Sequence, residues 1–391
     1  MRSRMLWAAA AVSLVFGVVP MRGSALISLA GPLCGTVPAA TEAPEVATLR
    51  VATFNVLHGL EETPSYPTHS TFDARLELQA QEIAAEGLDV VGMQEVSVTE
   101  APVGHAPGNV VERLAVRLAE ITEQAWHWCW HLSNPHLPVE PDIAEGGGGP
   151  ISDVIASMAS DKYGSFKEGA AVLSRYPIIA AEARRLPLRF PGEYVLCPPA
   201  EIPTCNLTAI FDHRIALWAR VDTPGGVTDI IATHFAHHLT PLSEVSKFTH
   251  AAAVLAFSEQ MTFQHGEPAR RFITCDCNLE TTDHPPGVGL ITSAGWTDSY
   301  AFVHPGSACA PGQDSSGCSS DQNIVTETPV ATTTARIDYV FARAGSCGLD
   351  IEDSERIADT PALQDDGTYL WPSDHLAFAT DVTVAGCGAG Y

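Results

Sequence analysis

Four separated pieces of the chain end strand-like runs in Asn, carboxylate or His. They are Val51-Ala52-Thr53-Phe54-Asn55, Val90-Val91-Gly92-Met93-Gln94-Glu95, Thr274-Cys275-Asp276-Cys277-Asn278, and Arg336-Ile337-Asp338-Tyr339 taken with Ser373-Asp374-His375. Amide and carboxylate oxygens suit Mg²⁺, which keeps several waters and binds few protein groups. Carboxylates and imidazoles are the groups that move protons near neutral pH. A site holding both sets is equipped for a phosphoester, which needs its charge neutralised, a positioned water and a proton for the leaving oxygen. Each piece alone also reads as a turn former that bonds its own backbone, so the weight lies in their order.

That order, Asn, Glu, Thr-His, Asp-x-Asn, Ile-Asp-Tyr and Ser-Asp-His, resembles the endonuclease/exonuclease/phosphatase superfamily over about residues 49 to 384. The resemblance implies a four-layer α/β sandwich, two packed mixed β-sheets flanked by helices, and a metal-dependent hydrolase of phosphoric esters. It implies that Asn55, Glu95 and Asp374 hold Mg²⁺, or Mn²⁺ in its place. It gives Asp276 the attacking water and Asn278 the phosphate. Asp338 and His375 match a buried dyad in which the carboxylate fixes the tautomer and favours the charged imidazole. His234, in a Thr-His context, matches a second active-site His that also faces phosphate. Arg214 reads equally as a bidentate phosphate contact and as a solvated cation at a strand start; Glu168 is open in the same way. Where the family usually has Gly and an aromatic or Met, this chain has Cys275 and Cys277. A Cys-x-Cys metal site is the rival reading, disfavoured without a second Cys pair at zinc spacing.

The elements that must position these residues follow from periodicity. Strands are predicted over 49–55 and 88–93, the latter apolar enough to be buried on both faces. Helices are predicted over 72–85, stopped by Gly87, over 109–124, and over 248–261. Further strands are expected at 169–174, 215–221, 228–233, 272–277, 337–342 and 377–384, with Pro224-Gly225-Gly226 as a hairpin turn. Asp276 and Asn278, two apart on a strand, would then share one face, with Cys275 and Cys277 on the other. Surface insertions are expected near 134–167, 187–208 and 304–333. The cluster Trp126-His127-Trp128-Cys129-Trp130 reads either as core or as a contact for an apolar ligand. No internal repeat appears, so one catalytic domain over 46–391 is the simplest organisation.

Basic Met1-Arg2-Ser3-Arg4 and the apolar run 6–20 read as a signal peptide of about residues 1–25, with Gly23-Ser24-Ala25 or Ala39-Ala40 as cleavage sites. Residues 26–45 read as a flexible leader, and a secreted monomer without a stable membrane anchor is expected. The 10 Cys residues suit an oxidising compartment. Cys197 with Cys205, Cys309 with Cys318, and Cys347 with Cys387 are the expected disulfides. A net charge of −25 argues against a broad basic footprint for nucleic acid. No Gly-x-Ser-x-Gly elbow, P-loop or dinucleotide motif is present. The resemblance implies a phosphoester substrate, in nucleic acid, phospholipid or a small molecule, so nuclease and sphingomyelinase-like readings both stay open. A non-catalytic secreted binding module is the alternative of another class.

Overall fold

The computed structural model describes residues 31–39, 41, 46–57, 72–99, 108–134, 166–187, 214–236, 243–279, 286–307, 309, 317–320 and 322–383. The first half contains β1 (Leu33–Val37), β2 (Thr48–Asn55), α1 (Phe72–Ala85), β3 (Val90–Thr99), β4 (Gly108–Asn109), α2 (Val110–Thr122), β5 (Trp126–Asn134), β6 (Phe166–Ser174) and β7 (Ile178–Arg185). Next come β8 (Ile215–Thr223), β9 (Gly226–His234), α3 (Ser243–His265), β10 (Arg270–Asp276), α4 (Pro286–Ser293), β11 (Thr297–Asp298) and α5 (Ser299–Val303). The chain closes with β12 (Val325–Thr326), β13 (Asp338–Ala344), β14 (Ile351–Ile357), β15 (Ala362–Leu363), β16 (Tyr369–Leu370) and β17 (Ala377–Thr383).

An 8-stranded sheet runs β1-β5-β6-β3-β2-β17-β14, with β4 on β3, and a 6-stranded sheet runs β11-β13-β10-β9-β8-β7. Each is built around one parallel pair made by a strand–helix–strand crossover, β2–α1–β3 and β9–α3–β10, and is otherwise antiparallel. Strand alternation then sorts the side chains into layers. Leu49, Val51, Val90 and Val172 of the first sheet meet Leu217, Ile230, Phe272 and Val340 of the second. The opposite faces are covered by Leu76, Ile83, Leu114 and Leu118 of α1 and α2 and by Val254, Phe257, Met261 and Ile291 of α3 and α4. The result is the predicted four-layer sandwich. Near one end the sheets come very close, since a Cβ on Gly92 would sit 1.8 Å from Thr274 Oγ1. Only glycine lets β3 pass there.

The Trp cluster is core. Trp126, Trp128 and Trp130 alternate onto the face under α2; the Trp126 indole donates to Thr122 Oγ1 and the Trp130 indole to the Val96 carbonyl. Part of the expected leader is ordered instead: residues 33–37 form edge strand β1 on β5, tied by a Cys34–Cys129 disulfide. Edge strands that carry Gly and Thr show little hydrophobic period, and the cross-link supplies what side-chain burial does not. The expected Cys309–Cys318 disulfide is present, Cys347 is disulfide-bonded, and Cys197, Cys205 and Cys387 lie outside the described residues. So do the signal segment 1–25 and most of the insertions at 134–167 and 187–208. Among the described residues no helix is long and apolar enough to cross a membrane.

Candidate active site

The parallel strands β2, β9 and β10 end at Asn55, His234 and Asp276, while antiparallel β13 begins at Asp338 and β17 just after His375. All these termini lie along one edge of the packed sheets. Register does the alignment: Asp276 is paired with His234 on one side and with Asp338 on the other. The structure therefore gathers residues that sequence separates by more than 300 positions.

Asn55 Nδ2 donates to Glu95 Oε1 and Asp276 Oδ2, both at 3.0 Å, and so links the two sheets. His234 Nε2 lies 3.3 Å from Asp276 Oδ2, and His375 Nε2 lies 3.8 Å from the same oxygen. His375 Nδ1 is 2.8 Å from Asp338 Oδ2, the predicted dyad contact. The Ser373 hydroxyl sits 2.7 Å from the Asn55 carbonyl and 3.3 Å from Asp374 Oδ1, tying that carboxylate to the end of β2. Arg214 Nη1 is 3.9 Å from Glu168 Oε1 at the margin of this edge.

Glu95 reaches the site because β3 bulges against β6 between Met93 and Val96, where Glu95 adopts φ 58. Leu57 and Asn278, flanking Asn55 and Asp276, also have positive φ, 49 each. A residue other than Gly or Asn held there costs about 1–3 kcal/mol, and such strain collects at functional sites. Asn278 departs from the expected alternation. The strand ends at Asp276, Cys275 and Cys277 join in a disulfide with Cα atoms 5.1 Å apart, and the chain turns. Asn278 N–H then bonds Asp276 Oδ1 at 3.0 Å, and its Nδ2 donates to the Phe235 carbonyl at 3.2 Å. Both Cys side chains pack in the core beneath α3, as their face predicted, so the pair is a cross-link and not a metal site.

Three carboxylates close together and out of water repel. Burial, then the Asp338 charge and that of Glu95, push Asp276 up to about 7 against the pull of His375 and the Asn55 amide. Burial alone would lower His375, yet the Asp338 charge and hydrogen bond, with Asp276 and Asp374 behind it, hold its pKa well above the ordinary range. Sequence reading missed Arg75, fully buried on α1. Burial lowers its pKa to about 10, while Asp374 and Glu95 oppose the shift. The available signal was a lone cation on the apolar face carrying Phe72, Leu76 and Gln79. It also missed Gln94, whose Nε2 bonds the Thr274 carbonyl across the sheets at 3.3 Å.

Two mixed sheets face to face, each centred on a parallel pair and framed by helices, give the chain the fold of the endonuclease/exonuclease/phosphatase superfamily. The chain is similar to an endonuclease/exonuclease/phosphatase from Beutenbergia cavernae, at TM-score 0.54 and 20% identity, covering 88% of this chain and 74% of that one. It is similar to family proteins from Bacteroides thetaiotaomicron, at TM-score 0.52 and 15% identity over 86% and 94% of the two chains, and from Leptotrichia buccalis, at TM-score 0.51 and 17% identity over 85% and 99%. No family model and no curated protein matches the sequence.

Proposed function

We propose that the protein is an exported, Mg²⁺-dependent phosphoric ester hydrolase, a phosphodiesterase that cleaves a P–O bond by in-line attack of water. The observation that carries this reading is the joined network Glu95–Asn55–Asp276 with His234, His375 and Asp338, with Glu95 at the β3 bulge and the others at or beside strand ends of the two sheets. The donor chemistry fits a hard cation. Glu95, His234 and Asp276 offer ligand atoms within 4.8 Å of one another, and the raised Asp276 marks a place where positive charge is wanted. Asn55, Glu95 and Asp374 would hold the ion. Bound there, Mg²⁺ supplies neutralisation of the phosphoryl charge.

The other tasks fall to the chain itself. Asp276, with a pKa near the working pH, accepts the proton of the attacking water as the new P–O bond forms. His375, kept charged by Asp338, donates a hydrogen bond to a phosphoryl oxygen. Asn278 and Arg214 are further donors to phosphate. His234, flanking Asp276 on its β9 side, protonates the leaving oxygen as the old P–O bond breaks. The disulfides support an oxidising compartment. The test is a panel of DNA, RNA, sphingomyelin, phosphoinositides and bis(p-nitrophenyl) phosphate with Mg²⁺, with chelator, and with metal restored. Turnover of one substrate that chelator abolishes and Mg²⁺ restores is expected, and full turnover in excess chelator refutes the reading.

A further inference from the structure

The Asp338–His375 dyad straddles two sheets. Asp338 opens β13 of the 6-stranded sheet, His375 precedes β17 of the 8-stranded one, and no strand pairing joins β13 to β17. Yet their bond of 2.8 Å tolerates little relative movement, because hydrogen bonds weaken steeply with distance and angle. Residues 318–320 and 322 touch both sides. Ser319 Oγ accepts the N–H groups of Ile337 at 3.2 Å and Asp338 at 3.3 Å. The Ser319 carbonyl accepts Leu376 N–H at 2.7 Å, and Gln322 N–H donates to the Asp374 carbonyl at 2.9 Å, so the same segment holds the backbone on either side of His375. It is fastened in turn to the lead-in of β13: Ser319 N–H bonds the Ala335 carbonyl at 2.8 Å and Thr334 N–H bonds that of Ser320 at 3.0 Å. The Cys309–Cys318 disulfide anchors its near end.

We propose that residues 318–320 with Gln322, centred on Ser319 and anchored by Cys309–Cys318, are a positioning element that sets the separation of Asp338 and His375. Ser319 is 0% exposed. A buried hydroxyl is costly unless bonded, and this one spends its lone pairs on the two backbone donors that fix where Asp338 begins its strand. Part of the stretch at 304–333, predicted as a surface insertion, thus becomes a strut inside the site. The inference rests on the phosphoesterase reading for its kinetic consequence but not for its structural one.

Its test uses Ser319→Ala and the double variant Cys309→Ala/Cys318→Ala in the full-length protein, with folding checked by circular dichroism. Two readouts are taken. One is the low-field proton NMR signal of the His375 ring N–H bonded to Asp338, assigned by its loss in His375→Ala. The other is kcat and KM on bis(p-nitrophenyl) phosphate with Mg²⁺. Ser319→Ala is expected to lose or broaden the low-field proton and to lower kcat at least ~10-fold with KM nearly unchanged, since misplacement of about 1 Å costs rates of that order or more. The double variant should move both readouts the same way by less. Retention of the proton with kcat within about twofold of wild type in Ser319→Ala overturns the proposal. Should Ser319→Ala not fold, unchanged readouts in the double variant overturn it equally. Wild-type protein that hydrolyses nothing, while Ser319→Ala still loses the proton, sinks the hydrolase reading and supports the strut.

Discussion

Asp338 decides whether His375 is a cation at the working pH. The folded-state pKa of His375 lies above its unfolded value near 6.5. The ion pair therefore contributes fully below that unfolded value and is lost as pH rises through the folded pKa. Asp338→Asn keeps the shape and removes the charge. The alkaline limb of the rate profile is expected to move to lower pH, with a loss of ~10²–10⁴ in turnover. His375→Ala should cost a similar factor and the double variant little more, because the two act as a unit; fully additive losses in the cycle would show that they do not. In the proposed function Glu95 is a ligand of the metal. Glu95→Ala is expected to raise the Mg²⁺ concentration needed for half-maximal rate by ~10–100-fold, read from a metal titration of turnover. An unchanged half-maximal concentration removes Glu95 from the ligand set.

At the scale of elements, α1 serves both the core and the site. It buries Leu76 and Ile83 against the first sheet, and its Gln79 bonds the Val56 and Pro372 carbonyls at 2.9 and 2.8 Å, joining the exits of Asn55 and Ser373. The same helix carries an electrostatic fault. Burial, Glu86 and Asp359 push Glu82 up to about 7. A carboxylate whose folded pKa is raised costs stability as pH climbs from its unfolded value through the folded one. Glu82→Gln should therefore stabilise by about 1 kcal/mol at pH 8, after discounting for solvent screening, and by nothing at pH 4. Urea denaturation at the two pH values measures it, and an equal gain at both would point to packing instead. Strand β1 depends on a covalent tether. Cys34–Cys129 closes a separation of 95 residues and Cys309–Cys318 one of 9, so chain entropy gives upper values of about 4.7 and 2.6 kcal/mol. Cys34→Ser should lower the denaturation midpoint more than Cys309→Ser. The reverse order would mean that β1 adds little to the folded state.

For the whole molecule, the division of labour follows the sheets. Asn55, Glu95 and Asp374 belong to strands or strand ends of the 8-stranded sheet, and His234, Asp276 and Asp338 to the 6-stranded one. The site exists only where the two are packed, and it concentrates negative charge in a chain of net charge −25. Without metal, the raised Asp276 costs stability as pH rises from its unfolded value near 3.9 through about 7. Saturating Mg²⁺, at about 100 times its dissociation constant, should return about 2.7 kcal/mol. The rise in melting temperature on adding Mg²⁺ is expected to be larger at pH 8 than at pH 5. A metal effect that is flat with pH, or absent, would count against a cation bound among these carboxylates.

Sequence alone settled the identity of the elements around the site and the residues at their tips. The apolar runs through Val51 and Val90, the helical spacing from Phe72 and from Val110, and the order of polar tips specified strands, helices and an edge, because burial imposes a period that composition shows directly. Tertiary structure decided how those tips meet. The bulge that turns Glu95 inward, the turn at Cys275–Cys277 that brings Asn278 round, the burial of Arg75 and the bridge through Ser319 all depend on contacts between segments far apart in the chain. Such contacts leave no period in the local sequence. Glu95 in particular needs a positive φ that its own side chain disfavours, and only the packing of β3 against β6 and the second sheet holds it there.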